Sequence, residues 1–378
     1  MLSYILWNAS PEIYSIGTFS LRWYGLFFAL GFLISQQILY YMYRQEGKPE
    51  KDVDTLTIYM VVATILGARL GHILFYQPEI IWEDPLGIFL PFEFTPTFRF
   101  TGLQGLASHG GTIGILLALW LYSRKKKPGQ NFLQVVDRIV LFAALCGALI
   151  RLGNYFNAEI IGKPTDKPWG VVFTGRLTEA VKGRSIDPDQ IVDKFMIVKN
   201  DTVSTANLPV GRKPMSIYLF FKPGTDEATA DQLVNGRFRY VLNNNLYEYF
   251  DASGLVMDYQ IAKQNDGTYA ARIRTLGIAR HPAQLYESIS CVMLFIVLFL
   301  LWRKYKNNLP QGMLFGIFLI VCFGLRILYE FLKENQEDFE AKMALNMGQI
   351  LSIPLVIAGI FILWRALKKK ETGASTEI

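Results

Sequence analysis

Long apolar segments constrain the fold of this chain more than any other feature. Seven runs are long enough to cross, or nearly cross, a lipid bilayer, which takes a helix of about 20 mostly apolar residues. They lie at residues 21–43, 55–76, 105–123, 132–153, 284–302, 312–332 and 346–364. The composition agrees, because 51% of the 378 residues are hydrophobic. The sequence therefore predicts an all-α polytopic membrane protein with seven transmembrane helices.

Basic residues mark alternate ends of these spans. Clusters of lysine and arginine follow the first, third, fifth and seventh spans, whereas the other connections hold few. The clusters are Arg44, Lys48 and Lys51, residues 124–127, Arg303, Lys304 and Lys306, and Arg365 with residues 368–370. Because short basic loops stay in the cytoplasm, we expect the N-terminus outside, the C-terminus inside and a cytoplasmic tail at 367–378. The net charge of +6 has the same explanation, so no nucleic-acid partner is expected.

Residues 163–279 have the composition of a soluble domain. Alternating segments predict strands at 195–199, 215–221, 237–242, 246–250 and 269–274, and residues 226–235 predict a helix. We therefore expect an inserted extracytoplasmic α+β head domain between helices 1–4 (residues 1–162) and helices 5–7 (280–366). Within the first part, residues 78–104 combine acidic, aromatic and proline residues, which predicts a periplasmic arm on the outer interface.

The three cysteines, Cys146, Cys291 and Cys322, lie inside predicted spans and lack metal-binding spacing. Buried small side chains are their simplest interpretation. No metal and no cofactor are therefore expected.

Polar side chains collect near the outer ends of several spans. This is notable because an arginine at the bilayer centre costs about 2.5–3.5 kcal/mol on insertion scales. The residues in this layer are Tyr24, Arg69, His72, His109, Arg151, Asn154, His281, Glu287, Arg326 and Glu330. Single residues have simpler explanations: Tyr24 suits an aromatic belt, and Arg326 with Glu330 suits an i,i+4 ion pair. Three arginines at one depth with few carboxylates nevertheless indicate an anion, and the abundant anion there is a lipid phosphate.

The third span begins with a short polar motif, Ser108-His109-Gly110-Gly111. Only about 13 residues of the span follow His109, roughly 20 Å of helix, so residues 102–108 must dip below the interface. Irregular backbone at that depth survives where protein covers it or where it lines a cavity. The glycines would let backbone N–H groups approach a ligand, and His109 can exchange a proton near neutral pH.

Five motifs, taken together and in order, resemble one family of membrane enzymes. They are LRWYGL at 21–26, GLASHGG at 105–111, IRLGNYFNAEIIG at 150–162, RHPAQLYE at 280–287 and FGLRILYEFLK at 323–333. IRLGNYFNAEIIG resembles the signature of prolipoprotein diacylglyceryl transferases, Gly-Arg-x-Gly-Asn-Phe-x-Asn-x-Glu with a glycine shortly after. Ile150 and Tyr155 depart from it, replacing a glycine and a phenylalanine, and Ala158 stands at its last unspecified position. The charged positions are unchanged.

The resemblance implies transfer of the sn-1,2-diacylglyceryl group of phosphatidylglycerol to the lipobox cysteine of a prolipoprotein signal peptide, releasing glycerol 1-phosphate. It places the protein in the bacterial inner membrane with its active site toward the periplasmic side. The polar layer suits this reaction, because arginines can stabilise a departing phosphate. The attacking group is the substrate's own thiol, whose thiolate a base or a positive field must favour.

The resemblance also implies roles for individual residues. Arg151 and Arg326 would bind the phosphate and its developing charge, and His109 is the candidate general base. Glu159, Glu287 and Glu330 would orient that base or compete for its role. The predicted substrate-binding residues are Tyr24, Arg69, Asn154, Asn157, Glu159, Gly162, His281, Glu287 and Glu330.

Three other classes of protein remain open from the residues alone. A lipid or anion transporter or scramblase would also bury charges around a phosphate, although its polar groups should continue to the inner leaflet. An intramembrane serine protease would need a better setting for Ser108 than this motif offers. A sensor would use the insert at 163–279 to bind a ligand.

Overall fold

The computed structural model describes residues 4–16, 19–83, 88, 92–93, 99–100, 107–200, 208–251, 258–334, 340 and 343–374. Its helices are α1 (Trp23–Gln45), α2 (Lys51–Tyr76), α3 (Ile80–Glu83), α4 (Ser108–Ser123), α5 (Phe132–Phe156), α6 (Gly175–Lys182), α7 (Glu227–Asp231), α8 (Arg239–Asn244), α9 (Ala283–Tyr305), α10 (Met313–Glu330) and α11 (Met347–Ala374), with a π-helix at Gln232–Phe238 and a 3-10 turn at Lys306–Asn308. Its strands are β1 (Ile5–Trp7), β2 (Glu12–Ile16), β3 (Phe19–Arg22), β4 (Phe92–Glu93), β5 (Arg99–Phe100), β6 (Val171–Phe173), β7 (Val192–Lys199), β8 (Arg212–Phe221), β9 (Phe250–Asp251), β10 (Asp258–Lys263) and β11 (Tyr269–Ile278).

Six of the described helices are long and apolar enough to cross a membrane, namely α1, α2, α5, α9, α10 and α11. They coincide with six of the predicted spans, so the chain is a polytopic membrane protein. The span predicted at 105–123 is represented by α4, which begins at Ser108 and has 16 residues, about 24 Å of helix. Large parts of the predicted arm at 78–104 and of the dipping segment at 102–108 lie outside the described residues.

The chain forms two compact units. The first consists of Met1–Leu30, Gly147–Cys291 and Leu325–Ile353, and the second of Gly31–Cys146, Val292–Gly324 and Pro354–Ile378. The first unit therefore holds all of the sheet-forming segment between β6 and β11. The second holds the whole of α2 and α4.

An antiparallel sheet with the strand order β10-β11-β8-β7 organises the first unit, and β9 pairs with the C-terminal end of β11. Alternate residues of β8, such as Ile217 and Leu219, are fully buried against Val234 and Phe238 of the helical segment. One face of the sheet is thus covered by helix in the manner of an α+β domain. The strands predicted at 195–199, 215–221 and 269–274 are confirmed as parts of β7, β8 and β11.

The strand predicted at 237–242 is wrong, because these residues lie in the π-helix and α8. Phe238, Val241 and Leu242 are the buried members. Their spacing of three and four is helical, and the short alternation of arginine with aromatic residues concealed it. The strand predicted at 246–250 is reduced to its last residue, Phe250, which begins β9.

Glycines hold α2 and α4 in backbone contact within the second unit. A Cβ atom built on Gly110 would lie 2.7 Å from the Cα of Gly71 and would also strike the carbonyl of Gly67. The Ala107 N–H donates to the carbonyl of Ala68 at 2.9 Å. Gly110 is therefore used for helix packing rather than for the approach to a ligand that the sequence suggested.

Two charged residues near the start of α5 have structural partners in the second unit. The buried Arg138 guanidinium donates to the buried Glu46 carboxylate at 2.9 Å, and Trp302 donates to the same carboxylate at 2.6 Å. Asp137 accepts from the backbone N–H of Gly312 at 2.6 Å, just before α10 begins. These contacts satisfy buried charges with neighbouring donors.

Candidate active site

Helix α5 ends in a turn that presents Glu159. The Ala158 N–H donates to the Tyr155 carbonyl at 3.2 Å, and the Glu159 N–H donates to the Asn154 carbonyl at 3.0 Å. This pair of bonds is the Schellman arrangement, which requires a left-handed residue where Ala158 stands. Ala158 has φ 51° and glycine is the usual residue there, since a side chain in this conformation costs about 1 kcal/mol. Glycine would adopt the same conformation without that cost.

A cleft opens beside this turn. Its volume is about 660 Å³, and it is lined by Ser20, Leu21, Arg22, Tyr24, Gly25, Asn154, Asn157 and Glu159. Tyr24 reaches this position because Gly153 has no side chain: a Cβ atom there would lie 2.9 Å from Tyr24 Cδ2 and 3.0 Å from its Cα. The cleft therefore combines an aromatic side chain, amides, a carboxylate and a cation, and its size suits a polar headgroup.

A chain of ion pairs joins three helices close to this cleft. The buried Glu287, on the second turn of α9, pairs with Arg151 of α5 through one carboxylate oxygen and with Lys333 through the other. The side chain of Lys333 is only 2% exposed. A buried lysine needs such partners, because an isolated buried charge is strongly disfavoured.

Lys333 extends the chain to a second carboxylate. Its Nζ lies 3.1 Å from Glu330 Oε1, and Asn346 donates to Glu330 Oε2 at 3.0 Å. Arg326 stands at the far end, with its Nε 3.7 Å from Glu330 Oε1. Three cations and two carboxylates, in the order Arg151, Glu287, Lys333, Glu330, Arg326, leave one net positive charge.

Arg326 holds a donor that the described residues leave unused. Its Nε is buried, and the distance of 3.7 Å to Glu330 is too long for a hydrogen bond. Within the described part of the chain this nitrogen has no hydrogen-bond acceptor. The Arg326 side chain is nevertheless 40% exposed, so a ligand can approach the guanidinium. Phosphate oxygens are strong acceptors for the exposed part of a guanidinium.

Amide side chains connect the ion pairs to the cleft. Arg151 donates to Asn154 Oδ1 at 3.5 Å, and Asn154 in turn donates to Glu159 Oε2 at 3.4 Å. Asn157 donates to the other oxygen of Glu159 at 3.4 Å. The Glu159 carboxylate is thus surrounded by donors at the edge of the cleft, where it can accept a hydrogen bond from a hydroxyl group of a bound headgroup.

Gly162 lies where three segments cross. Its N–H donates to the His281 carbonyl at 3.2 Å, and its carbonyl accepts from the buried Arg280 at 3.1 Å. A Cβ atom there would lie 2.7 Å from the Cβ of His281 and 3.0 Å from the Leu332 carbonyl oxygen. The glycine is required by backbone packing behind the site, and it does not line the cleft described above.

His281 belongs to a small aromatic cluster on the same unit. Trp169 Nε1 donates to the Tyr286 hydroxyl oxygen at 2.8 Å, and that oxygen lies 3.2 Å from His281 Nδ1. Burial, assisted by the positive charge of Lys167, lowers the pKa of His281 below its usual value. A neutral His281 ring can accept a hydrogen bond from the Tyr286 hydroxyl, which agrees with the lowered pKa.

The first unit contains ten of the twelve predicted site residues. They are Tyr24, Arg151, Asn154, Asn157, Glu159, Gly162, His281, Glu287, Arg326 and Glu330. Arg69 and His109 belong to the second unit: Arg69 donates to the Ile88 carbonyl at 3.1 Å, and His109 is exposed on the first turn of α4. Among the described residues, no cluster of three or more histidine, cysteine, aspartate or glutamate side chains could hold a metal ion.

The sequence interpretation missed Lys333, Arg176 and Gln284. Lys333 lies three residues after Glu330 in the FGLRILYEFLK motif, a spacing that could have identified it as a partner of that carboxylate. Gln284 lies in the RHPAQLYE motif and donates to the Glu159 carbonyl at 2.6 Å. Arg176 comes from the insert, where only the structure reveals its approach to Glu159.

This multi-pass membrane protein has a polar cleft and a chain of ion pairs with a net positive charge. These features define a class of membrane protein that can act on an anionic lipid. The family pattern for prolipoprotein diacylglyceryl transferase matches residues 11–365, so the chain belongs to that family and is an enzyme, a transferase. This confirms the resemblance recognised in the motifs, and it does not favour the transporter alternative.

Similar proteins cover nearly the whole chain. A phosphatidylglycerol–prolipoprotein diacylglyceryl transferase of Bacteroides fragilis is 33% identical over 373 residues, 98% of both chains. The protein of the same name from Tolumonas auensis is 32% identical, covering 97% of this chain and 99% of its own length. That of Chloroherpeton thalassium is also 32% identical, with 98% and 97% covered.

Proposed function

We propose that this protein transfers the sn-1,2-diacylglyceryl group of phosphatidylglycerol to the lipobox cysteine of prolipoproteins and releases glycerol 1-phosphate. The observation that carries the proposal is the net positive ion-pair chain ending at Arg326, whose buried Nε has no acceptor among the described residues. The names of the full-length relatives specify the lipid and the protein substrate of those proteins, and we extend both to this chain.

The reaction exchanges one bond for another at a glyceryl carbon. The cysteine thiolate attacks the carbon that carries the phosphate oxygen, so a carbon–sulfur bond forms and the carbon–oxygen bond breaks. The electron pair leaves with glycerol 1-phosphate, and the thiol proton passes to a base. Arg151 and Arg326 stabilise the phosphate as its charge grows, which is where fixed cations lower a barrier most effectively.

The remaining site residues keep supporting roles in this proposal. Tyr24, Asn154, Asn157 and Glu159 bind the glycerol headgroup in the cleft that they line. Glu287 and Glu330 hold the cations in place through the ion pairs described above. Arg69 as a further phosphate ligand and His109 as the general base rest on the family resemblance and on the chemistry of their side chains.

The membrane arrangement is part of the same proposal. Seven spans, including the short α4, place the N-terminus outside and the C-terminus in the cytoplasm, supported by the basic clusters after alternate spans. Residues 163–279 form an extracytoplasmic head, residues 78–104 a periplasmic arm and residues 367–378 a cytoplasmic tail. The active site of this inner-membrane enzyme then faces the periplasm, where secreted prolipoproteins present their signal peptides.

The test is transfer by the purified protein in detergent with phosphatidylglycerol and a lipobox peptide. We expect glycerol phosphate to appear in step with a peptide whose mass has increased by the diacylglyceryl group. A peptide with serine in place of cysteine is the matched control and should remain unmodified. Lipid movement between the leaflets of vesicles without glycerol phosphate release would instead identify a scramblase and refute the proposal.

A further inference from the structure

The turn that carries Glu159 has an unfavourable backbone. Ala158 and Ile160, on either side of Glu159, have φ values of 51° and 54°. This left-handed region disfavours side chains and suits glycine. Two such residues so close together persist only where surrounding contacts hold them. The contacts around this turn therefore bear directly on the position of the Glu159 carboxylate.

Tyr249 of the insert holds the first of these residues. Its hydroxyl donates to the Ala158 carbonyl at 2.9 Å. Its ring packs against a cluster that includes Tyr155, Ala158 and Ile161, and Ala158 is only 4% exposed. Burial raises the pKa of the Tyr249 hydroxyl above its usual value, so the group stays protonated and remains a donor.

Arg176 of the insert reaches the carboxylate itself. Its Nη2 lies 3.7 Å from Glu159 Oε1, and it stands on the first turn of α6, shortly after β6. Arg176 also interacts with Tyr249, and its positive charge opposes the effect of burial on the pKa of that hydroxyl. Two groups from the insert thus act on one turn, one through its backbone and one through its side chain.

We propose that Tyr249 and Arg176 are positioning residues through which the insert at 163–279 holds Glu159 at the edge of the cleft. The inference rests on the proposed function, because it assigns Glu159 to headgroup binding. It gives the insert a part in catalysis that is separate from any contact with the prolipoprotein. Tyr249 offsets the unfavourable left-handed conformation of Ala158.

A double-mutant cycle tests this compensation. Tyr249→Phe removes one hydrogen bond, and we expect kcat/KM for phosphatidylglycerol to fall about fivefold to tenfold. Ala158→Gly should stay within about twofold of the wild type, because glycine adopts the left-handed conformation readily. The double variant should recover to within about threefold of the wild type, since the turn then no longer depends on Tyr249. Tyr247→Phe, at a side chain that is 62% exposed, is the matched control and should have no effect.

Arg176 is tested through the KM for phosphatidylglycerol. Arg176→Gln should raise that KM about threefold to tenfold while kcat stays within about twofold of the wild type, because the cleft loses a cation that holds Glu159. Arg237→Gln, on an exposed arginine that bonds only to the Ser185 carbonyl in the described contacts, should leave KM unchanged.

The outcomes separate this inference from the proposed function. If the wild type releases no glycerol phosphate, the proposed function fails. If the wild type is active and Tyr249→Phe matches it, or if the losses of Tyr249→Phe and Ala158→Gly simply multiply, the positioning role is refuted. Melting temperatures of all variants, measured in the same detergent, show whether any loss of rate reflects unfolding.

Discussion

Glu287 forms an ion pair with Arg151 across α9 and α5, and their side chains are only 10% and 23% exposed. The same carboxylate pairs with the buried Lys333, so one acid neutralises two cations. Glu287→Gln would leave both cations poorly compensated, and we expect it to lower the free energy of unfolding by about 3 kcal/mol. Thermal unfolding in detergent measures this.

The control for that change is a carboxylate on the protein surface. Asp258 pairs with Arg274 at 2.7 Å, and both side chains are about half exposed. Asp258→Asn should therefore change the free energy of unfolding by less than about 1 kcal/mol. Equal effects of the two substitutions would mean that the ion pairs of Glu287 contribute no more to the free energy of unfolding than an exposed ion pair does.

Gly153 sets the position of Tyr24 in the cleft. Gly153→Ala would place a methyl group 2.9 Å from Tyr24 Cδ2, so the ring must move. We expect kcat/KM for phosphatidylglycerol to fall at least about tenfold, because small misplacements of binding groups are costly in catalysis. Gly324→Ala meets no atom within 4 Å and should leave the rate unchanged. Normal kinetics in Gly153→Ala would exclude Tyr24 from headgroup binding.

Two adjacent glycines of α4 make a matched pair. Gly110→Ala would bring a methyl group to 2.7 Å from the Gly71 Cα, a backbone contact that no side-chain rotation can relieve. We expect a loss of about 1–3 kcal/mol in the free energy of unfolding. The nearest atoms to a methyl group in Gly111→Ala are Ala68 Cβ at 3.6 Å and the Thr64 carbonyl oxygen at 3.7 Å, which are ordinary contact distances, so this change should be tolerated. The melting temperatures of the two variants are compared. Equal values would contradict the backbone contact between α2 and α4 at Gly110.

His281 predicts a pH dependence of stability. Because burial and Lys167 lower its pKa in the folded state, the folded protein disfavours the protonated ring. The unfolded chain binds that proton more readily, so stability falls as pH drops below the ordinary histidine pKa of about 6.5. The fall should level off once pH passes the lowered value. His281→Gln should reduce the change in melting temperature between pH 7.5 and 5.5, and an unchanged slope would rule out this group.

The membrane helices could be predicted from the sequence because hydrophobicity alone defines them. Six predicted spans coincide with helices, and four residues of the predicted polar layer, Arg151, Glu287, Arg326 and Glu330, take part in ion pairs. Lys333 was not predicted. Its spacing from Glu330 indicates one partner, but its other partner, Glu287, lies 46 residues away in the sequence. The helix at 237–242 was predicted as a strand. Arginine and aromatic residues alternate there, and this alternation concealed the helical spacing of the three residues that are buried in the structure.

The site depends on tertiary contacts that no motif contains. No motif shows that Ala158 stands where glycine is preferred, and only its φ value of 51° reveals it. Two residues of the insert contact this turn: Arg176 lies 17 residues after its partner Glu159, and Tyr249 lies 91 residues after its partner Ala158. Such contacts follow from the fold of the insert and from no local pattern.

Arg326 offers the most direct test of the account. Its ion pair with Glu330 is long and its side chain is 40% exposed, so Arg326→Ala should lower the free energy of unfolding by less than about 1 kcal/mol. The rate of glycerol phosphate release should nevertheless fall at least about 100-fold, because a donor to the departing phosphate is lost. Turnover within about threefold of the wild type, in a variant with an unchanged melting temperature, would contradict the central claim that Arg326 stabilises the leaving phosphate.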